Sequence, residues 1–287
     1  MPSTYAHYVF GRDLLRRYSD EVRSTLRNNL KIYQIGLHGP DILFYYKPLT
    51  KNPIRQLGSD LHDRPACEFF ENAVSVANSA ETEAERNRRL SYALGFVGHF
   101  ALDSMCHGYV EKKLSVSGVT HAEIEVEFDR YLMVNDGLNP ITHHLTGHIH
   151  PTDENARIFS LFYDGVSEKE AKTAIRSFVT YNGLLVAPND VKRLLIYSVL
   201  AASGNYKGMH GMVVNKKPNP KCRDSNLRLE KLMRKAEELC LTLSDNLLNY
   251  ANGEEELLPW FGKTFEKGDD WQSIPILTAM EERHYEV

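Results

Sequence analysis

Residues 95–113 read GFVGHFALDSMCHGYVEKK and place His99, Asp103 and His107 at four-residue intervals. Each residue of an α-helix turns by about 100°, so a step of four residues drifts by only about 40°. The three side chains therefore form a ladder on one helical face, with a carboxylate between two imidazoles. The neighbouring residues are apolar, and a helix that is apolar nearly all round is usually buried. Because buried charges must be paired or bound to a metal, the ladder predicts a metal site.

A second ladder follows in HAEIEVEFD at residues 121–129, where His121, Glu125 and Asp129 have the same spacing. Imidazole nitrogen and carboxylate oxygen are ligands that Zn²⁺ takes at about 2.0–2.2 Å. A single pair with this spacing is more often a contact that stabilises the helix, so the prediction rests on the two ladders together. They predict a centre with more than one metal ion. Asp129, one turn beyond Glu125, is expected to orient a ligand histidine by a hydrogen bond.

The rest of the chain also has helical patterns. Apolar periodicity and capping residues predict helices over 12–30, 66–80, 83–112, 120–134, 168–181, 190–202 and 226–252. No stretch alternates as a strand does, and there is neither an internal repeat nor a linker rich in Pro, Gly or Ser. We therefore expect an all-α fold: one compact multi-helix domain over residues 1–287, with the metal centre between its helices. Gly95 and Gly98 are expected to let another element approach closely, one turn before the first ladder.

The composition narrows the choice of compartment and partner. The formal net charge is −4, so the chain has no overall basic footprint for nucleic acid. No apolar run is long enough to span a bilayer, and no secretion signal is apparent at the N-terminus, which predicts a cytoplasmic protein. The cysteines show no CxxC spacing, so we expect reduced thiols rather than disulfides at Cys67, Cys106, Cys222 and Cys240.

The order of the ladder residues resembles the zinc-dependent phospholipase C family, which shares its all-helical fold with the fungal single-strand-specific nucleases. The family's central signature is a His-x3-Asp helix, a further histidine, and then His-x3-Glu or His-x3-Asp. The matching residues here are His99, Asp103, His107, His121 and Glu125. Upstream, the family uses a histidine, an aspartate and another histidine, and the residues in the corresponding order are His7, Asp41 and His62. The resemblance covers about residues 1–130.

The resemblance implies two to three zinc ions per chain. It assigns one ion to Asp41, His62, His99 and Asp103. It makes Asp103 the bridge to a second ion, which is held by His7 and by the N-terminal residue, Pro2 after removal of Met1 or Met1 itself. It assigns the third ion to His107, His121 and Glu125. One spacing differs, because three residues separate Asp103 from His107 here and five separate the equivalent pair in the better-known members.

The reaction implied by the resemblance is phosphoester hydrolysis, with Asp41 and Asp103 as the catalytic residues. A water held between metals loses its proton near neutral pH, because bound zinc lowers the pKa of water to about 7. The resulting hydroxide is expected to attack phosphorus in line with the leaving alcohol, and Asp41 is expected to steer the attacking water.

The substrate class stays open between three alternatives. The favoured one is a phosphodiester, a phospholipid included, with no stable nucleic-acid complex. The others are a single-strand nuclease or nucleotidase that uses the same centre, and a metal-stabilised binding protein without turnover. The arginines between residues 12 and 27 could contact anionic lipid. Asp13, Asp20 and Glu21 dilute their charge, so a solvated face is the preferred interpretation.

A histidine-rich segment, THHLTGHIHP, spans residues 142–151 and contains His143, His144, His148 and His150. Its proline and glycine predict an exposed loop with solvated histidines. The alternative is a loop that gates access to a cleft. His38, three residues before Asp41, is expected either to donate a hydrogen bond to a metal ligand or to have a structural role.

Overall fold

The computed structural model describes residues 4–287, so the predicted chelate at Pro2 or Met1 lies outside the described residues. The α-helices of the described range are α1 (Thr4–Leu14), α2 (Asp20–Asn28), α3 (Leu30–Gly36), α4 (Asp41–Phe44), α5 (Pro53–Asp63), α6 (Ala66–Asn78), α7 (Glu83–Ser117), α8 (His121–Asn135), α9 (Asp153–Ser160), α10 (Glu168–Leu185), α11 (Asp190–Ala202), α12 (Tyr206–Met209), α13 (Arg223–Ala251) and α14 (Ala279–Glu282). Short 3₁₀ helices add His210–Met212, Pro220–Cys222, Pro259–Gly262 and Trp271–Ser273. No strand forms within residues 4–287, and the all-α prediction is confirmed.

The longest helix, α7, is buried along most of its length, with α1, α3, α6 and α13 packed against it. It begins where the Thr82 hydroxyl accepts a hydrogen bond from the Glu85 N–H, which satisfies a backbone donor that a helix start leaves open. It ends at Gly118, whose φ of 68° lies in the left-handed region that favours glycine. The first ladder is therefore built on the longest helix of the described fold, in a part of it that is buried.

Two glycines bring α3 and α7 into backbone contact just before the ladder. A Cβ atom added to Gly95 would lie 2.2 Å from the Tyr33 carbonyl oxygen, and one added to Gly36 would lie 2.3 Å from that of Tyr92. No side chain fits at either position. The close approach expected at Gly95 is therefore present, and it fixes α3 against the start of the ligand-bearing face.

The single helix predicted over 12–30 is wrong, because the chain there forms α1, α2 and α3 in succession. The helical path is interrupted at residues 15–19, where the Ser19 hydroxyl accepts a hydrogen bond from the Val22 N–H and starts α2. Three arginines of this region pair with carboxylates at short distances: Arg12 with Asp136 at 2.7 Å, Arg17 with Glu237 at 2.8 Å and Arg23 with Asp20 at 2.7 Å. This pairing agrees with a solvated face rather than a lipid-binding one.

Two smaller findings bear on the earlier expectations. Within residues 4–287, no helix combines the length and the apolar character needed to cross a membrane. All four cysteines are free thiols, as the absence of paired spacing predicts.

Candidate metal centre

The ladder of α7 faces the interior, and His99, Asp103 and His107 are buried there. Four other helices carry the remaining predicted ligands: α1 carries His7, α4 begins with Asp41, α5 carries His62, and α8 carries His121 and Glu125. Their ligand atoms gather into groups within 4.8 Å of one another. The structure thus brings together residues that lie more than ninety positions apart in the chain, such as His7 and Asp103.

Asp103 lies between two histidines from different helices. Its Oδ1 atom is 3.2 Å from Nε2 of His7, and its Oδ2 atom is 3.3 Å from Nε2 of His99. The rings of His7 and His99 stack with their centroids 4.4 Å apart. Each oxygen of this carboxylate therefore faces its own imidazole, an arrangement that suits a ligand shared by two ions.

Asp129 holds the first turn of α1 in place. Its two carboxylate oxygens accept hydrogen bonds from the N–H groups of Tyr5 and Ala6, at 3.0 and 2.7 Å. These are backbone donors in the first turn of α1, which a helix leaves unsatisfied. These contacts anchor the helix that carries His7 to α8, and a hydrogen bond between Asp129 and a ligand histidine stays a prediction.

Asp41 and His62 form the edge of the cluster contributed by α4 and α5. The Asp41 Oδ1 atom is 3.2 Å from Nε2 of His62. On the other side of the ring, Nδ1 of His62 donates a hydrogen bond to the Gly58 carbonyl at 2.7 Å. Because a carbonyl can only accept, Nδ1 carries the proton, and in a neutral ring Nε2 keeps a lone pair for a metal.

His107, His121 and Glu125 form a separate group. The Oε1 atom of Glu125 lies 2.7 Å from Nε2 of His121 and 3.7 Å from Nε2 of His107. Nδ1 of His107 donates to the Phe265 carbonyl at 2.5 Å, which turns Nε2 toward Glu125. The shorter spacing between Asp103 and His107 therefore does not keep His107 away from the second ladder.

The first cluster has the dimensions of a zinc site. Zinc bonds of about 2.0–2.1 Å in tetrahedral geometry set neighbouring ligand atoms about 3.3 Å apart. The separations of His7 from Asp103, His99 from Asp103 and His62 from Asp41 are 3.2, 3.3 and 3.2 Å. Within residues 4–287, the Nε2 atoms of these histidines and both Asp103 oxygens find no hydrogen-bond partner. Because buried polar atoms rarely lack a partner, the residues fit a metal ion.

The protonation states also suit metal binding. Burial alone raises the pKa of Asp103, but the surrounding imidazoles, His99 first among them, hold it well below its usual range. Burial lowers the pKa of His99 to about 3. The pKa of Glu125 is likewise held low by His121 against the effect of burial. At neutral pH the carboxylates are therefore ionised and His99 is neutral, the forms in which these groups bind metals.

A cavity of about 350 Å³ opens beside the centre, and Asp41, His121 and Glu125 line it. Much of the remaining wall is apolar and includes Tyr45, Ile141, Leu145, Phe178, Leu185 and Val186. A cavity of this size and character is typical of a small-molecule site.

Sequence reasoning missed two polar residues of this cavity, Asn182 and Arg193. Arg193 is buried, and its Nη2 atom donates to the Val214 carbonyl at 2.5 Å. Its Nε atom has no hydrogen-bond partner within residues 4–287. Lys192 and Arg193 interrupt an otherwise apolar helix, which is a signal that could have marked Arg193; no comparable signal marks Asn182.

The histidine-rich segment divides into exposed and inward-facing members. His144 and His150 are exposed, as the loop prediction requires. His143 lines the cavity. His148 packs inward, with its Nε2 atom 2.8 Å from Nε2 of His38 and its ring stacked on Tyr8. A uniformly solvated loop is therefore wrong, and the segment lies beside the cleft as its alternative reading expected.

Comparison with known proteins agrees with this geometry. The model of the zinc-dependent phospholipase C family matches residues 6–178, a range that contains all eight predicted ligand residues. Neither the search of curated proteins nor that of solved structures found a match. The family match covers more than half of the chain, and the chain therefore belongs to the zinc-dependent phospholipase C family.

Proposed function

We propose that this protein hydrolyses the phosphodiester bond of a phospholipid, using two to three zinc ions per chain. Family membership supports the coarser part of this proposal, a phosphoester hydrolase that depends on zinc. The observation that carries the rest is the set of buried ligand atoms around Asp103 that have no hydrogen-bond partner within residues 4–287. Their separations match zinc coordination, and they lie next to a cavity that can hold a substrate.

The predicted ligands form two groups, one around Asp103 and one around His107 of α7. In the first, His7, Asp41, His62 and His99 surround Asp103, whose two oxygens face different histidines. This supports Asp103 as the bridge between two ions. In the second group, His107, His121 and Glu125 would hold a further ion.

When bound in these groups, zinc supplies an activated water and stabilises the charge that develops on phosphate oxygens. The chain's own residues supply the rest. Asp41 belongs both to the ligand cluster and to the cavity wall, so its ionised carboxylate is placed to orient a water molecule toward a bound substrate. The hydrogen bonds from His62 to Gly58 and from His107 to Phe265 hold two ligand rings in fixed orientations.

The cavity favours a lipid-like phosphoester over a nucleic acid. Proteins that bind single strands combine a basic groove with stacked aromatic side chains. Among the described lining residues, Arg193 supplies the one Lys or Arg side chain, and apolar groups form most of the wall. One guanidinium in an apolar cavity suits a single phosphate attached to an apolar group.

Metal content and hydrolysis should be measured together on untagged protein with its native N-terminus. Elemental mass spectrometry should find two to three zinc ions per chain, and the protein should hydrolyse a short-chain phosphatidylcholine faster than a single-stranded oligonucleotide. A His144→Gln variant is the control, because this exposed side chain belongs to no ligand group. One ion or fewer without hydrolysis would favour a binding protein, and preferred cleavage of the oligonucleotide would favour a nuclease.

A further inference from the structure

Helix α11, DVKRLLIYSVLAA, is built with its apolar residues outward. Val191, Leu194, Leu195 and Val199 expose 79%, 69%, 64% and 60% of their surface. The one buried residue of the helix is the charged Arg193. A surface helix of a globular protein normally shows the opposite arrangement, with its apolar stripe packed on the core. A contiguous exposed apolar face of this kind is typical of a surface that binds another protein or a membrane.

This face borders the cavity beside the metal centre. The segment that leads into α11, Leu185–Ala187, lines the cavity, and so do Gly208 and Met212, which follow the helix. Arg193 itself reaches the cavity from the inner side of α11 and ties the helix to Val214 by its hydrogen bond. A ligand bound to the outer face of α11 would therefore lie close to the entrance used by a substrate.

The same part of the chain carries an unusual concentration of positive charge. Residues 191–223 contain five lysines and two arginines and no aspartate or glutamate, although the whole chain has a formal net charge of −4. Within the described residues, the exposed side chains of Lys207 and Lys217 have no ion-pair partner, whereas Lys216 pairs with Asp190 at 2.5 Å. Exposed apolar groups and unpaired lysines thus occur together around α11.

We propose that α11 and the loop that follows it dock the protein on an anionic phospholipid membrane surface. The helix of 13 residues is about 20 Å long, which is short of the roughly 30 Å hydrocarbon core, so it lies in the interface rather than spanning it. Its leucines and valines enter the boundary between headgroups and acyl chains, and the lysines contact anionic headgroups. Docking brings the cavity entrance to the lipid.

Charge argues for a membrane over a second copy of this chain. A symmetric dimer through α11 would place the same patch against itself. Because Asp190, the first residue of α11, is already paired with Lys216, and Lys207 and Lys217, unpaired within residues 4–287, are both positive, such a contact would bring like charges together, which is unfavourable. The face also lies beyond residue 178, where the family match ends. It is therefore a feature of this chain outside the matched segment.

The proposal rests on the proposed function in one respect, that the substrate is a lipid, so binding and hydrolysis must be measured separately. Co-sedimentation of the zinc-loaded protein with vesicles of phosphatidylserine and phosphatidylcholine measures binding. Leu194→Asp combined with Leu195→Asp should weaken this binding by about tenfold or more, because two apolar contacts are lost and negative charge is added. Lys207→Glu with Lys217→Glu should weaken binding to these vesicles and leave binding to pure phosphatidylcholine almost unchanged.

The matched control is Val116→Asp combined with Val134→Asp, two exposed valines near the ends of α7 and α8 that do not line the cavity. This control should bind vesicles as the native protein does, and all variants should hydrolyse a water-soluble phosphocholine ester at the native rate. Equal vesicle binding by the α11 variant and the native protein would overturn the proposal. So would a native dimer that the α11 variant converts to monomers in light scattering.

The two proposals fail in different ways. Vesicle binding that depends on α11, without hydrolysis of any phosphoester, would overturn the proposed function and support the docking surface. Hydrolysis of the soluble ester without vesicle binding would overturn the docking surface and support the proposed function.

Discussion

Asp103 is the residue on which the centre depends most, because it is a fully buried carboxylate whose oxygens face two imidazoles. Without a cation, such a group is costly to bury. The low pKa of this carboxyl, set chiefly by His99 against the effect of burial, keeps it ionised. Its charge is therefore available to a metal at neutral pH.

Asp103→Asn should lower the zinc content by at least one ion and keep most of the fold, because the amide has nearly the shape of the carboxylate but no charge. The rate of hydrolysis should also fall. The decrease should exceed the roughly 10–100-fold loss that follows when a residue hydrogen-bonded to a metal ligand is replaced. Asp136→Asn is the matched control, since Asp136 pairs with Arg12 away from the ligand groups. Unchanged zinc content in Asp103→Asn would contradict its role as a shared ligand.

His148→Ala should cost about 1–3 kcal/mol in the free energy of unfolding, because it leaves the buried His38 Nε2 atom without its partner at 2.8 Å. The ring of His148 also stacks on Tyr8, with centroids 4.3 Å apart. His144→Ala, at an exposed position in the same segment, should leave stability nearly unchanged. Urea unfolding of the two variants provides the comparison, and equal effects would show that the inward packing of His148 does not contribute.

His148 should also make the fold sensitive to acid. Burial lowers the pKa of His148 to about 3 in the folded protein, against about 6.5 in an unfolded chain. The contribution of the neutral ring is therefore complete above pH 6.5 and is lost as the pH falls from there toward 3. Between pH 6.5 and 4, the native protein should lose more stability than His148→Ala. Parallel losses in the two proteins would argue against this assignment.

At the scale of elements, the approach of α3 to α7 is limited by glycine. Gly95→Ala should destabilise the fold by about 1–3 kcal/mol, since the new methyl group would meet the Tyr33 carbonyl and force the helices apart. Gly183→Ala in α10 is the control: nothing lies within 4 Å of the added Cβ. That substitution should instead stabilise the helix by about 0.5–1 kcal/mol. Thermal unfolding of both should give shifts of opposite sign, and a neutral Gly95→Ala would contradict the close packing.

Helices with strong local signals could be predicted from the sequence, and those set by tertiary packing could not. The capping residues Thr82, Ser167 and Asn189 mark the starts of α7, α10 and α11 within a residue or so. Residues 12–30 keep a helical pattern across two breaks, because periodicity does not record where a chain turns to pack. Helices α5 and α9 were not predicted, although Asn52 and Thr152 cap their first turns.

Some residues of the candidate site could likewise be predicted from the sequence alone, and others could not. The ladders of α7 and α8 follow from helical spacing alone, whereas the placement of His7, Asp41 and His62 needed the family resemblance. Contacts made by backbone carbonyls, such as that of Phe265 to His107, have no sequence signal. The contact of Asp129 with the first turn of α1 could not be predicted, because spacing gives the face of a helix but not the element that packs against it.

At the scale of the whole molecule, the described core is continuous from α1 to the region of Phe265, and the ligand cluster lies inside it. Removing the metal would leave ionised carboxylates and unpaired imidazoles in this interior. We therefore expect zinc bound in this interior to stabilise the fold. Assignment of all 287 residues to one domain remains a prediction.

Chelation should lower the melting temperature. A ligand present at about a thousand times its dissociation constant stabilises the folded state by about 4 kcal/mol per site, so EDTA should lower the melting temperature by on the order of 5–10 °C. Added zinc should restore it, whereas added calcium should not, because calcium prefers six to eight oxygen ligands. Calorimetry with and without EDTA makes the comparison, and an unchanged melting temperature would contradict a structural contribution from the metal.

The helical spacing of the ligand residues in α7 limits where residues can be inserted into or deleted from this chain. One residue inserted between His99 and Asp103 would rotate the rest of the helix by about 100° and advance it by about 1.5 Å. Asp103 and His107 would then leave the face that His7 and Glu125 approach. The turns between α8 and α9 are not tied to the helical repeat and can lengthen or shorten. Among related chains, insertions and deletions should therefore fall in such turns and be absent from residues 99–103, the His-x3-Asp step that this chain shares with its family.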